Sequence, residues 1–95
     1  MVIPSKQYRA YEKEVEKWLP KMAEPISVPC EVKCLYFMPT RRKCDLTNLL
    51  ESTDDVLVKH GVLLDDNYSI IESHDGSRVF YDKENPRTEV YIREL

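Results

Sequence analysis

Apolar and polar positions alternate in two different rhythms along this chain, and the rhythm changes mark its elements. From Pro4-Ser5 onward, Tyr8, Tyr11, Val15, Trp18 and Leu19 recur at spacings of three and four, with Lys13, Glu14, Glu16 and Lys17 between them. That spacing predicts an amphipathic helix capped by Ser5 and ending near Pro20. Over Val28–Met38 the rhythm becomes two: Val28, Cys30, Val32, Cys34, Tyr36 and Met38 alternate with Pro29, Glu31, Lys33, Leu35 and Phe37. This predicts a strand, central in its sheet because its second half is apolar on both faces. Helical spacing returns over Asp45–His60, with Leu46, Leu49, Leu50, Thr53, Val56 and Leu57 on one stripe and Asn48, Glu51, Ser52, Asp55 and Lys59 opposite. Gly61 supplies the stop. Tyr68–Ser73 and Thr88–Arg93 predict two more strands. Between them Asp75-Gly76 signals a turn, Val79-Phe80-Tyr81 can extend the sheet, and Glu84-Asn85-Pro86 reads as loop. The predicted order is α-β-α-β-β, an α+β fold with a small mixed sheet.

With 95 residues, the expectation is a single domain over residues 1–95. Its 42% hydrophobic and 33% charged content suits a globular chain, and only two glycines disfavour a turn-rich all-β design. Domains of this size often gain stability by oligomerising. A net charge of −3 excludes a non-specific nucleic-acid coat and leaves any such contact to local clusters. Cys30 and Cys34 fall on one face of the strand, about 13 Å apart, too far for a disulfide or a shared zinc. With Cys44 they read as reduced thiols, which places the chain in the cytoplasm. No apolar run reaches membrane-spanning length, and the N-terminus lacks a signal-peptide pattern.

The stretch from Met38 to Asp66 carries the chemistry. Arg41-Arg42-Lys43 leads into Asp45, and Asp65-Asp66 follows Gly61. Cations beside carboxylates suit a magnesium-dependent nuclease: positive charge holds phosphates, and hard oxygens hold the ion. Each piece also has a plainer reading. Asp45 is a good helix cap, Asp65-Asp66 fits a turn, and three adjacent cations can be a solvated loop. Lys6, Arg9, Arg78, Lys83 and Arg87 are weaker phosphate candidates. His60 and His74 read as surface residues, not ligands. Tyr8, Tyr11, Trp18, Tyr36 and Phe37 read as core.

From Met38-Pro39 through Arg41-Arg42 and Asp45-Leu46-Thr47-Asn48-Leu49 to Asp65-Asp66, the chain resembles the RusA-type Holliday junction resolvases, small endonucleases common in phages. The resemblance runs from Pro4 to the C-terminus. It implies symmetric, magnesium-dependent cleavage of four-way DNA junctions by a homodimer, in a bacterial or phage-infected cell. It assigns Asp45 and Asp66 to the essential acids, with Asp65 beside the second. It also implies an aspartate at the position of Thr47 and a lysine at that of Glu51. Thr47 offers only a neutral oxygen, and Glu51 reverses a charge but could supply a carboxylate. Asn48 is a supporting residue, and Arg41, Arg42 and Lys43 are the DNA contacts. Manganese could replace magnesium. The resemblance further implies a strand before the first helix, which this chain is expected to lack, leaving a sheet edge exposed.

Asp45 and Asp66 bracket a helix of about fifteen residues, roughly 22 Å long. Acids that far apart meet around one ion within a chain only if the following loop doubles back; a second copy, related by a two-fold axis, would bring its Asp66 to the first copy's Asp45. Two composite sites per dimer follow. Two other readings stay open: a catalytically weak or inactive module of the same fold that binds branched DNA or protein, and a regulatory module whose acidic helix face contacts protein.

Overall fold

The computed structural model describes residues 1–4 and 16–95. The predicted first helix falls mostly outside the described residues; its end is seen as a single 3-10 turn, Glu16–Trp18. The described elements run β1 (Val2–Pro4), the 3-10 turn, β2 (Cys30–Met38), α1 (Leu46–Lys59), β3 (Ile71–Ser73), β4 (Arg78–Tyr81) and β5 (Arg87–Glu94). This is a small mixed α+β fold with one α-helix and a five-stranded sheet among the described residues. The predicted order α-β-α-β-β is therefore not the observed one.

β2 is central, as its two-sided apolar pattern required. β5 runs antiparallel along one side, from Cys30↔Glu94 to Phe37↔Arg87. β3 and β4 lie end to end and parallel to β2 along the other side, β3 beside Cys30 and Glu31 and β4 beside Leu35–Met38. They are separated by a turn in which Ser77 N–H donates to the His74 carbonyl and Gly76 takes φ +85°. β1 pairs antiparallel with β5 through Val2↔Glu89, Ile3↔Thr88 and Pro4↔Arg87. The strand expected to be missing is thus present in three residues, and it covers the edge of β5. Pro4 reads locally as a helix opener, but it closes a strand because β5 supplies a partner.

Alternation decides the two faces of the sheet. Cys30, Val32, Cys34 and Tyr36 are fully or almost fully buried, and the register sets Thr88, Val90 and Ile92 beside them. Ile3, Leu19, Leu57, Val62, Leu63, Ile70 and Ile71 complete this core among the described residues. Leu57, wholly buried on α1, contributes about 2 kcal/mol by its burial. The Thr53 hydroxyl donates to the Leu49 carbonyl at 2.9 Å, and the Tyr36 hydroxyl meets Thr53 Oγ1 at 2.6 Å, fastening helix to sheet. Trp18 does not join this core; it is 43% exposed. The opposite sheet face carries Glu31, Lys33, Leu35 and Phe37 beside Arg93, Tyr91, Glu89 and Arg87.

All three cysteines are free, Cys30 and Cys34 buried and Cys44 exposed. Burial pushes the Cys34 thiol up to about 11 and raises Cys30 as well, so both behave as small apolar groups. Among the described residues, no helix is long and apolar enough to cross a membrane.

Candidate functional site

The N-terminal end of α1 is built by the loop that leaves β2. Asp45 has extended backbone angles and its Oδ1 accepts from Thr47 N–H at 2.9 Å, while its carbonyl accepts from Leu49 N–H. It is the N-cap, and the second carboxylate oxygen keeps no partner among the described residues. The basic run precedes it on the surface. Arg42 N–H donates to Thr40 Oγ1 at 3.3 Å, and the Arg41 guanidinium lies 4.3 Å above the Tyr81 ring. Met38, Pro39, Thr40, Arg42, Lys43 and Cys44 line a cavity of about 250 Å³ whose charged groups are both cationic. Such a cradle suits an anion of phosphate size.

The C-terminal end of α1 is closed by a Schellman motif. Val62 N–H donates to the Leu57 carbonyl and Gly61 N–H to that of Val58, with Gly61 at φ +75° and His60 as C-cap. Buried Val62 and Leu57 supply the apolar contact that accompanies this motif. Ile26 then clamps the outgoing chain by accepting from Leu64 N–H and donating to the Val62 carbonyl, both at 2.9 Å. The chain is thereby delivered to an exposed turn where Asp65 Oδ1 accepts from Asp66 N–H at 2.7 Å and Asn67 Oδ1 accepts from Ser69 N–H. Local desolvation holds the Asp66 carboxyl above its ordinary value, reinforced by the bond and charge of Asp65 and by the charge of Asp55. Leu64 and Tyr68, 55% and 87% exposed, flank the acid pair.

The sequence-predicted acids thus stand at opposite ends of α1, which has 14 residues and a length of about 21 Å. Among the described residues, no three His, Cys, Asp or Glu side chains come close enough to hold a metal ion. Asp45, Asp65 and Asp66 have the hard oxygen donors magnesium takes, but one chain does not bring them together. Thr47, Asn48 and Glu51 are exposed on the first turns of α1, near Asp45 and remote from Asp66. Of the weaker cation candidates, Arg87 is committed elsewhere. It donates to Glu89 at 2.6 Å and to Asp82 at 3.0 Å. Arg78 lies 5.6 Å from the Phe80 ring centre, and Lys83 is exposed. Lys6 and Arg9 lie outside the described residues.

Pattern reading missed one polar pair. Asp54, in α1, is buried, and its Oδ2 meets His74 Nε2 at 2.8 Å; His74 Nδ1 lies 2.8 Å from the Val32 carbonyl. His74 is therefore not a plain surface residue. Carboxylate and carbonyl both accept, so both bonds form together only when the ring carries two protons. The bond to Asp54 accordingly raises the His74 pKa against the opposing effect of burial. Asp54 Oδ1 is buried with no partner. Asp54 falls four residues after Leu50 and three before Leu57, so an acid inside an apolar stripe was the available signal.

The site thus consists of a capped helix on a mixed sheet, with cations and carboxylates exposed at its ends. The sequence model of endodeoxyribonuclease RusA matches residues 1–93, and the chain belongs to that family. The family is one of endonucleases that resolve Holliday junctions. A comparison with curated proteins finds no match.

Proposed function

We propose that this chain is a magnesium-dependent, structure-selective DNA endonuclease that resolves four-way junctions as a homodimer, in the cytoplasm of a bacterial or phage-infected cell. The family match over residues 1–93 carries this reading. Asp45 of one copy, with Asp65 and Asp66 of another, would hold the ion, and manganese could take its place. Bound there, it would supply Lewis acidity for hydrolysis of a phosphodiester. Arg41, Arg42 and Lys43 hold the phosphate backbone beside Asp45. Asn48 orients the site, and Thr47 and Glu51 lie within reach as oxygen donors. Separation of the acids across α1 supports the need for two copies. So do Leu64 and Tyr68, exposed beside Asp66.

A second reading, binding of branched DNA without cutting, is favoured by Thr47 and Glu51. Thr47 brings no charge to the ion, and Glu51 adds negative charge near the phosphate path. Cleavage of a synthetic four-way junction, with and without magnesium and beside Asp45→Asn, separates the two. Paired nicks that need magnesium and vanish in Asp45→Asn support the enzyme. Binding without nicks at any magnesium or manganese concentration rejects it.

A further inference from the structure

Among the described residues, β4 is the outermost strand on its side of the sheet and pairs only with β2. All four of its residues are exposed. Arg78 and Phe80 face the open side of the sheet beside Leu35 and Phe37, while Val79 and Tyr81 share the other face with Tyr36 and Met38. Phe80 stacks on Phe37 with ring centres 4.9 Å apart and planes 13° apart. The Arg87 guanidinium lies 3.8 Å over Phe37. Because β5 and β4 flank β2 on opposite sides, Arg87 and Phe80 cover Phe37 from opposite sides. Phe80, 37% exposed, is the open end of that stack.

Two of the arginines on this face are neutralised, while Lys33 lies 5.0 Å from the Tyr91 ring centre. Arg93 is bound to Glu31, and Arg87 to Asp82 and Glu89. Arg78 lies instead 5.6 Å from the Phe80 ring centre and has no carboxylate partner among the described residues. Arg41 of the basic loop lies over Tyr81, on the other face of the sheet. Aromatic faces flanked by unneutralised guanidinium groups suit a strand with unstacked bases: rings take the base, and cations take the phosphates on either side. The unneutralised Arg78 guanidinium beside the ring favours an anionic partner.

We propose that the open face of the β4 edge, Phe80 with Arg78, is a stacking site for an unpaired nucleobase at the branch point of the DNA. The proposal rests on the branched-DNA reading given above. It adds a reason for preferring junctions to plain duplex: a duplex keeps its bases stacked internally and offers none to Phe80.

The test measures binding of the native protein, Phe80→Ala, Phe80→Trp and Arg93→Ala to a four-way junction and to a duplex of the same sequence. A second readout is the fluorescence of a 2-aminopurine at the branch point, which stacking quenches. Phe80→Ala weakens junction binding about tenfold and leaves duplex binding unchanged. Phe80→Trp restores junction binding and quenching, and Arg93→Ala behaves as native. Restoration by Phe80→Trp shows that the loss in Phe80→Ala is one of stacking and not of folding. Native-like junction binding by Phe80→Ala, or equal loss on duplex and junction, overturns the proposal. So does a change in self-association without a change in DNA binding, which assigns the edge to a second copy. If Phe80→Ala binds junctions as the native protein does, the stacking site falls and the nuclease reading stands. If the native protein binds no DNA, both fall.

Discussion

Replacing His74 by alanine perturbs a largely buried ionic contact that ties α1 to the sheet. The native ring makes two bonds of 2.8 Å, to Asp54 Oδ2 and to the Val32 carbonyl. Side-chain exposures of 26% for His74 and 12% for Asp54 leave little water to replace them. The charge-assisted bond contributes roughly 2 kcal/mol and the carbonyl bond about 1 kcal/mol. Asp54 Oδ1 already lacks a partner, so the substitution leaves a whole carboxylate buried and unpaired. The expected loss is about 3 kcal/mol, which for a domain of this size lowers Tm by on the order of 10–20 °C. Adding Asp54→Leu to His74→Ala recovers much of the loss, because removing both partners removes the stranded charge. The pH dependence has a definite sign. His74 titrates above its ordinary value of 6.5 when folded. Its stabilisation is therefore complete below that value and is lost as pH rises through the folded pKa. Urea unfolding of native and His74→Ala proteins checks this, with a stability gap widest at about pH 6 and narrower towards about pH 9. A gap under about 0.5 kcal/mol at the acid end, or one that widens with pH, refutes the reasoning.

Asp45 should separate capping from chemistry. Asp45→Asn keeps the cap, so its Tm matches the native protein while cleavage is lost; Asp45→Ala also costs about 1 kcal/mol in thermal or urea unfolding. Gly61→Ala meets no atom within 4 Å, so its cost is that of the left-handed backbone alone, about 1 kcal/mol in urea unfolding. Arg42→Ala and Lys43→Ala should each weaken DNA binding regardless of sequence and reduce the slope of log affinity against log salt by about 1, read by titration at several salt concentrations.

Elements that satisfy their own periodicity were legible in the sequence. The pattern over Val28–Met38, apolar on both faces in its second half, predicted a central strand, and β2 is central but begins at Cys30; Asp45 and Gly61 marked the ends of α1 to within a residue. Elements that exist because a partner exists were not. Val2–Pro4 is too short to carry a pattern and is a strand only through β5. Tyr68–Ser73 shortened to Ile71–Ser73 because β2 bulges between Cys30 and Glu31 and the preceding residues turn around Asn67. Trp18 fitted a helix stripe, yet the sheet leaves it 43% exposed. The sequence already set Asp45 and the Asp65-Asp66 pair at opposite ends of one helix. Asp45, Asp65 and Asp66 were named from the sequence, and the fold holds them at two ends of one helix. Asp54 and His74 escaped because their pairing spans helix and sheet, a distance no linear pattern encodes.

The central claim is that acids from two copies form each site. Its most direct measurement mixes Asp45→Asn with Asp66→Asn protein and follows magnesium-dependent nicking of a four-way junction. Each variant alone is expected to be inactive, and the mixture to regain nicking through the one intact site of the mixed dimer. Mixed dimers that form yet never cut, or a strictly monomeric protein that does cut, would contradict it.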